Sequence, residues 1–322
     1  MDKELKEEIY KCSKCGLCKS VCPIYLATKN EMYLPRGRFI ILNSLFNNKP
    51  SKEFTKNLDI CLYCNLCKDF CPSNINSAEI FMGLKKQSKT LYIKLFFIFN
   101  LYRLFNLKKK YKPQKFENKE KVIYFEGCYN KYLDSSDRNA SIKLIEELGY
   151  EVEKVVSNCC GYPYLTNNDN RNFKRNEEKI IANCNSKAKH IVCSCDSCYE
   201  TLKKINNKEF TDKLIRLDDF LKQNNYQFNI CNEAIYFKPL TKKDECYLPT
   251  EIKQETKKGA CSLMENFFAL KHPKLAKNII NKQEAIKAET IVTTCNVTKW
   301  GLIKNFKYKV LSYAEYLKKE VD

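Results

Sequence analysis

The stretch "KCSKCGLCKSVCPIY", residues 11–25, contains a run of four cysteines that is followed by a proline. The same pattern returns at residues 59–75 as "DICLYCNLCKDFCPSNI". Both copies have the spacing C-x2-C-x2-C-x3-C-P, which indicates two related thiol sites near the N-terminus. The cysteines are Cys12, Cys15, Cys18 and Cys22 in the first run, and Cys61, Cys64, Cys67 and Cys71 in the second.

This spacing is that of bacterial ferredoxins, in which the fourth cysteine of each run binds the cluster of the other run. Three cysteines at intervals of three reach one cluster because thiolates must approach the irons from several directions. A zinc site needs only four ligands, usually in separated CxxC pairs, so zinc is the weaker alternative and disulfides are weaker still. The spacing therefore predicts two 4Fe-4S cubane clusters, one bound by Cys12, Cys15, Cys18 and Cys71, and the other by Cys61, Cys64, Cys67 and Cys22.

Composition limits the class of protein. The chain has 322 residues, of which 44% are hydrophobic, enough to bury the cores of several domains. Its nineteen cysteines exceed ordinary use but are less dense than in small secreted disulfide proteins. The N-terminal "MDKELKEEIYKC" is charged and has no apolar signal region. We therefore expect a cytoplasmic protein whose thiols stay reduced.

The formal net charge is +19. Lysine is spread along the whole chain among Glu and Asp, so an evenly solvated surface is the plain interpretation. Attraction to an acidic partner or an anionic membrane surface is the functional alternative. Because the sequence contains no nucleic-acid-binding motif, we expect no nucleic-acid partner.

Sequence pattern divides the chain into four parts: a two-cluster ferredoxin domain at 1–87, an apolar helix and basic linker at 88–120, and two further domains at 121–228 and 229–322. Within the first, "YLPRGRFIILNSLF" predicts a basic turn leading into an apolar helix, so this domain should be mostly helical. Within the second, "LFFIFNLY" is too short to span a membrane. It is either a helix joining two domains or one that lies on an anionic bilayer.

From residue 121 the pattern alternates between strands and helices. "KVIYFEGC", "YEVEKVV" and "HIVCS" predict strands, and "SSDRNASIKLIEELG" and "CYETLKKI" predict helices, which is typical of an α/β layer with a parallel sheet. Loops at the ends of such strands commonly hold cofactors. Five thiols at these loops are more than tetrahedral zinc requires. They are Cys128, Cys159, Cys160, Cys195 and Cys198.

These five cysteines, with "NCCGYP" at 158–163, resemble the CCG cysteine-rich domain of heterodisulfide reductases. The same domain occurs in iron-sulfur subunits of glycolate oxidase, of lactate oxidation enzymes and of anaerobic glycerol-3-phosphate dehydrogenase. The order of a ferredoxin part and a CCG part, and the "LPRGR" stretch, resemble the glycolate oxidase type, which is itself related to the iron-sulfur subunits of heterodisulfide reductase. The resemblance implies that the five cysteines hold a noncubane 4Fe-4S cluster.

The family usually carries the CCG domain twice. "AIYFKPL", "GACSLMENFFALKHPKLAKNI", "IVTTCNVTKWGL" and "KVLSYAEYLKKE" echo the first copy, but Leu240, Ala260 and Thr298 replace cysteines of the pattern. We therefore expect an α+β multidomain chain: a mostly helical ferredoxin domain, then two tandem α/β CCG-type repeats with parallel sheets, of which the second is degenerate. Whether Cys231, Cys246, Cys261 and Cys295 bind metal stays open.

The sequence has eight glycines and neither a GxGxxG motif nor a phosphate-binding glycine loop, so we expect no flavin or NAD site of its own. The resemblance implies an electron-transfer subunit of an oxidoreductase complex rather than the subunit that oxidises the substrate. Its partner would be an FAD-containing dehydrogenase of a 2-hydroxy acid such as glycolate or lactate. Its acceptor would be a quinone or another electron acceptor, and the cytoplasmic chain would work either in solution or from a peripheral position on the inner face of the membrane.

Two other classes of function stay open. One is catalysis at the noncubane centre, as in heterodisulfide reductases, where two CCG sites act together. The other is a non-redox scaffold stabilised by metal. The sequence names neither the partner's substrate nor the final acceptor, and it does not give the cluster potentials.

Overall fold

The computed structural model describes residues 3–45, 57–84, 94–95, 120–228, 233–240, 242, 244–250, 252–254, 261–282, 286 and 288–318. The chain forms two compact units. The first unit comprises Met1–Leu91, Leu165–Asp169 and Thr256–Ile286, and the second comprises Tyr92–Tyr164, Asn170–Glu255 and Lys287–Asp322. Most of the predicted apolar helix and basic linker at 88–120 lies outside the described residues.

The N-terminal part of the first unit is helical, as predicted. Proline occupies the first position of two of its helices, where the missing N–H costs no hydrogen bond. Its small core contains the side chains of Phe39 and Phe81, whose ring centroids lie 5.2 Å apart. The helices are α1 Lys3–Tyr10, α2 Pro23–Thr28, α3 Pro35–Ser44, α4 Leu66–Asp69 and α5 Ser77–Leu84, with 3-10 turns at Leu17–Ser20 and Glu31–Tyr33.

The second unit begins with the predicted parallel sheet, whose strand order is β2-β1-β3-β4. Alternate residues of β1 enter different cores: Val122 and Tyr124 pack in one, and Ile123 and Phe125 in the other. Both faces of the sheet are therefore buried, as is typical of parallel sheets. The strands are β1 Lys121–Phe125, β2 Glu151–Val156, β3 His190–Cys193 and β4 Leu214–Arg216. The helices are α6 Gly127–Tyr132, α7 Ser136–Glu147, α8 Tyr162–Thr166, α9 Asn170–Cys184, α10 Asp196–Leu202, α11 Lys208–Lys213 and α12 Leu217–Gln223.

A second parallel sheet repeats this topology, with the order β6-β5-β7-β8. The predicted tandem α/β repeat is therefore confirmed. Between β5 and β6 none of the described residues is helical, whereas α6 and α7 lie between β1 and β2. The strands are β5 Ala234–Tyr236, β6 Ile252–Gln254, β7 Ile291–Thr293 and β8 Val310–Ser312. The helices of this part are α13 Phe268–Lys271, α14 Pro273–Lys282, α15 Asn296–Gly301 and α16 Tyr313–Leu317.

The segment that carries α13 and α14 belongs to the first unit, although the sequence pattern placed it in the degenerate repeat at 229–322. Polar contacts explain this grouping. The side-chain amide of Asn266 donates a hydrogen bond to the carbonyl of Cys61 at 2.7 Å. The ammonium group of Lys271 lies 3.0 Å from a carboxylate oxygen of Asp59. The segment therefore packs beside the second cysteine run.

Among the residues that the structure describes, no helix has both the length and the apolar character needed to cross a membrane.

Candidate functional site

The two cysteine runs fold into two copies of the same loop. Lys14 and Gly16 of the first loop have left-handed backbone conformations, with φ of 61° and 85°. The equivalent Tyr63 and Asn65 of the second loop have φ of 54° and 62°. Non-glycine residues rarely adopt this region. Such turns create a concave backbone whose N–H groups point inward and bind anions, an arrangement common at iron-sulfur sites.

Backbone N–H groups of both loops face the thiols. The N–H of Tyr63 lies 3.4 Å from the sulfur of Cys61. The N–H of Leu17 hydrogen-bonds to the sulfur of Cys15 and is the main reason that the pKa of this exposed thiol is lowered. Hydrogen bonds of this kind stabilise a thiolate over a thiol. At Cys15 these N–H groups favour the thiolate, whereas burial raises the pKa of Cys12 and Cys18 in the same loop.

The eight cysteines of the runs line two cavities in the first unit. Both cavities have Cys67 and Pro35 in their walls, so they are adjacent. Each brings together three cysteines of one run and the fourth cysteine of the other. The first is lined by Cys12, Cys15, Cys18 and Cys71 together with Cys67, and the second by Cys22, Cys61, Cys64 and Cys67.

Desolvation by the surrounding protein acts strongly on thiols of the second cavity. Burial raises the pKa of Cys22 to about 11 and that of Cys67 to about 12, and it raises the pKa of Cys64 well above its usual value. Metal ligands must be thiolates, so metal binding here releases protons.

The five cysteines of the CCG pattern lie in the second unit, at the carboxyl ends of neighbouring strands. Cys128 follows β1 in the first turn of α6, and Cys159 and Cys160 follow β2. Cys195 follows β3 and caps the N-terminus of α10, which also contains Cys198. The parallel topology predicted from sequence therefore places these thiols along one edge of the sheet.

Two glycines make room for this arrangement. Gly161 has φ of 96°, and a Cβ atom there would lie 2.8 Å from the ring of Phe173. Gly127 has φ of 72°, and a Cβ atom there would lie 3.3 Å from the sulfur of Cys198. Both positions need glycine because the backbone is left-handed and closely packed. The "CCG" glycine thus has a steric role at the site.

The thiols of the second unit contact one another in series. Cys159 lies within hydrogen-bonding reach of Cys128 and Cys160, and these contacts hold the pKa of Cys159 well below its usual value. The same contacts raise the pKa of Cys128 and of Cys160. Cys198 in turn contacts Cys160 and Cys195. A series of pairwise contacts therefore connects all five predicted thiols.

A sixth thiol, Cys295, lies beside this set. Its sulfur is 3.9 Å from the sulfur of Cys195 and 3.0 Å from the hydroxyl oxygen of Ser197. The sequence held a signal for this position, because Cys295 directly precedes α15 just as Cys195 directly precedes the equivalent helix α10. The contact itself follows from packing of the two repeats, in which the N–H of Asp196 donates to the carbonyl of Thr294 at 3.0 Å.

The other open cysteines lie elsewhere. Cys246 lies near the buried Lys242 and Asp218 rather than in the CCG set. Cys261 belongs to the first unit, where it is fully buried near Glu265 and Cys22. Cys231 lies outside the described residues.

The donor chemistry of both sites fits iron-sulfur clusters. As the side chains stand, no group of three or more His, Cys, Asp or Glu residues in the described part of the chain is arranged to hold a metal ion. The fit to a metal centre therefore rests on the type and number of the donors. All are thiols, the donors of iron-sulfur clusters. The CCG site offers five, more than the four that a zinc ion takes.

Comparison with known protein families agrees with this donor set. A family model described as a 4Fe-4S dicluster domain matches residues 8–75, which include all eight cysteines of the two runs. A second model, described as a cysteine-rich domain, matches residues 122–203, which include the five CCG cysteines. No curated protein matches the chain. The fold and the two matched domains thus define an iron-sulfur protein that combines a dicluster domain with a CCG domain.

Proposed function

We propose that this chain is an electron-transfer subunit with three iron-sulfur centres. The observation that carries the proposal is the pair of adjacent cavities, each lined by three cysteines of one run and the fourth of the other. Bound there, 4Fe-4S clusters supply one-electron transfer. The first would be held by Cys12, Cys15, Cys18 and Cys71, and the second by Cys22, Cys61, Cys64 and Cys67.

The third centre of the proposal lies in the second unit. Cys128, Cys159, Cys160, Cys195 and Cys198 would hold a noncubane 4Fe-4S cluster, as the resemblance to CCG proteins implies. The series of contacts among these thiols and the match to the cysteine-rich domain support it. Burial of Cys160, Cys195 and Cys198 keeps water away from the centre.

The proposed electron donor is an FAD-containing dehydrogenase of a 2-hydroxy acid such as glycolate or lactate. The proposed acceptor is a quinone, reached from the inner face of the membrane. Support comes from the domain order, in which a dicluster domain precedes a CCG domain as in the glycolate oxidase type. Clusters bound by these cysteines would transfer electrons, and the partner would oxidise the substrate.

The heterodisulfide reductase alternative has less support. It relies on two complete CCG sites, and the second repeat has Leu240 and Thr298 where two thiol ligands would stand. A leucine side chain offers no metal donor, and threonine offers only a hydroxyl group. We therefore do not propose disulfide reduction for this chain.

The test is anaerobic iron and sulfide analysis with EPR spectroscopy on the chain purified from its native host. We expect about twelve irons per chain, two cubane signals and one atypical signal. A flavoprotein should co-purify, and the 2-hydroxy acid should reduce the centres only when that flavoprotein is present. About eight irons with zinc in the CCG site would contradict the three-centre proposal, and reduction of a disulfide by the isolated chain would restore the alternative.

A further inference from the structure

Arg36 and Arg38 lie on either side of Gly37 at the start of α3, and each lines a different cysteine cavity. Arg36 lines the cavity that contains Cys12 and Cys15. Arg38 lines the cavity that contains Cys61 and Cys64. Residues two positions apart on an α-helix project in roughly opposite directions, about 200° apart. One short helical segment therefore contributes an arginine to the wall of each cavity, and the charge of Arg38 lies close enough to Cys22 to offset part of the rise that burial causes in the pKa of that thiol.

Arg38 is almost completely buried, with 1% of its surface exposed. One Nη atom donates to the carbonyl of Ile60, and the guanidinium lies 5.1 Å from the ring centroid of Phe81. Its Nε atom is buried and has no hydrogen-bond partner among the described residues. Among the residues that the structure describes, no carboxylate lies within ion-pair distance of the Arg38 guanidinium.

A buried cation without an anionic partner is unfavourable, because the protein interior solvates a charge less well than water does. A buried N–H without an acceptor adds a further unfavourable contribution. Both costs fall if an anionic group with sulfur acceptors occupies the cavity beside Arg38. Four thiolates and an iron-sulfur core are such a group.

Arg36 also has a buried Nε atom, but its charge is more exposed and is paired with a carboxylate. Its Nε atom is also buried without a partner among the described residues. One of its Nη atoms, however, lies 3.0 Å from a carboxylate oxygen of Glu31, and 28% of the side chain is exposed. Glu31 therefore offsets part of the positive charge of Arg36, whereas the charge of Arg38 is not offset in this way.

We propose that Arg36 and Arg38 are separate potential-setting residues, Arg36 for the centre at Cys12, Cys15 and Cys18, and Arg38 for the centre at Cys61 and Cys64. This inference rests on the proposed function. Reduction adds one negative charge, so a nearby guanidinium that donates hydrogen bonds to sulfur favours the reduced state and raises the potential. The effect of Arg38 should be larger, because no carboxylate among the described residues pairs with its charge.

The experiment is an EPR-monitored redox titration of the full, purified chain and of its Arg38→Met and Arg36→Met variants. Methionine keeps the apolar stem and removes the charge. Arg38→Met should lower the reduction equilibrium constant of one cubane centre at least tenfold, about 59 mV for one electron, and leave the other unchanged. Arg36→Met should lower the reduction equilibrium constant of the other cubane centre by a smaller factor.

Controls separate the possible failures. Lys179→Met removes the same charge from an exposed position of α9 and should move neither potential. If Arg38→Met loses its iron, Arg38→Lys replaces it in the test, because lysine keeps the positive charge but lacks the Nε donor of arginine. Arg38→Lys should lower the reduction equilibrium constant of the same centre by a smaller factor. Equal shifts of both centres, or no shift in variants that retain their iron, would overturn the inference. Fewer than two cubane centres in the unaltered chain would instead overturn the proposed function.

Discussion

Cys160 joins two of the three strand-end loops of the CCG site, because its thiol contacts Cys159 of its own loop and Cys198, which follows β3. We expect Cys160→Ser to abolish the EPR signal of the CCG centre and to leave both cubane signals in place. A serine hydroxyl is a poor ligand for iron compared with a thiolate.

The matched control for this variant is Cys184→Ser. Cys184 is also buried in the second unit, at the end of α9, but is not among the five CCG cysteines. Its replacement should keep all three centres. Loss of the cubane signals in Cys160→Ser would contradict the assignment of the centres to separate units.

Lys242 forms buried ion pairs within the second unit. Its side chain is fully buried, and its ammonium group lies 2.8 Å from Asp218 and 3.4 Å from Asp196. Burial raises the pKa of Asp196 to about 7, and both carboxylates raise the pKa of Lys242 above its usual value against the opposite effect of burial. The ion pairs thus hold buried charges of opposite sign together.

Lys242→Met should destabilise the second unit by about 3–5 kcal/mol, because it removes the buried cation that lies between two buried carboxylates and leaves Asp218 only the longer contact with Arg216 at 3.9 Å. Chemical denaturation followed by circular dichroism measures the change. Lys222→Met, at an exposed position of α12, should stay within about 0.5 kcal/mol of the unaltered protein. Equal stabilities of the two variants would show that the buried pair contributes nothing.

At the scale of the element, α3 depends on Gly37. A Cβ atom at this position would lie 2.0 Å from the carbonyl oxygen of Glu31, which no real contact permits. Gly37→Ala should therefore shift α3 away from the Glu31–Tyr33 turn and destabilise the first unit by about 3 kcal/mol or more. The measurable result is loss of both cubane signals while the CCG signal remains.

Gly83→Ala provides the comparison for this variant. Gly83 lies in α5, and a Cβ atom there would meet nothing within 4 Å. Alanine at this position should be neutral or stabilise the protein by up to about 1 kcal/mol. Retention of cubane iron in Gly37→Ala would refute the steric argument.

At the scale of the whole molecule, the two units should respond differently to iron removal. The proposed cluster ligands of the first unit lie on loops around a small core, so we expect metal binding to contribute to the folding of this unit. The second unit has two four-stranded sheets with cores that include residues of both repeats. Anaerobic chelation should therefore increase amide hydrogen exchange in α3 and α5 much more than in β1 and β3. A uniform increase across both units would contradict this expectation.

Much of the fold could be predicted from the sequence because its signals are local. Apolar runs of strand length predicted β1, β2 and β3, and the alternation with helices predicted their parallel pairing, which the structure confirms. Cysteine spacing singled out the thiols that line the cavities. The pattern did not reveal that Arg38 is buried, since "LPRGR" also suits a solvated helix start. It also placed α13 and α14 with the second repeat, whereas their contacts are with the first unit.

The sequence by itself determined the kind of chemistry, because the spacing of cysteines along a loop limits which thiols can reach one centre. Only the tertiary structure decided which distant side chains accompany those thiols: Cys295 beside Cys195, Asn266 beside the backbone of Cys61, and Arg38 against Phe81. These contacts join residues far apart in the chain. Tertiary packing and burial determine these contacts, and no pattern of neighbouring residues in the sequence predicts them.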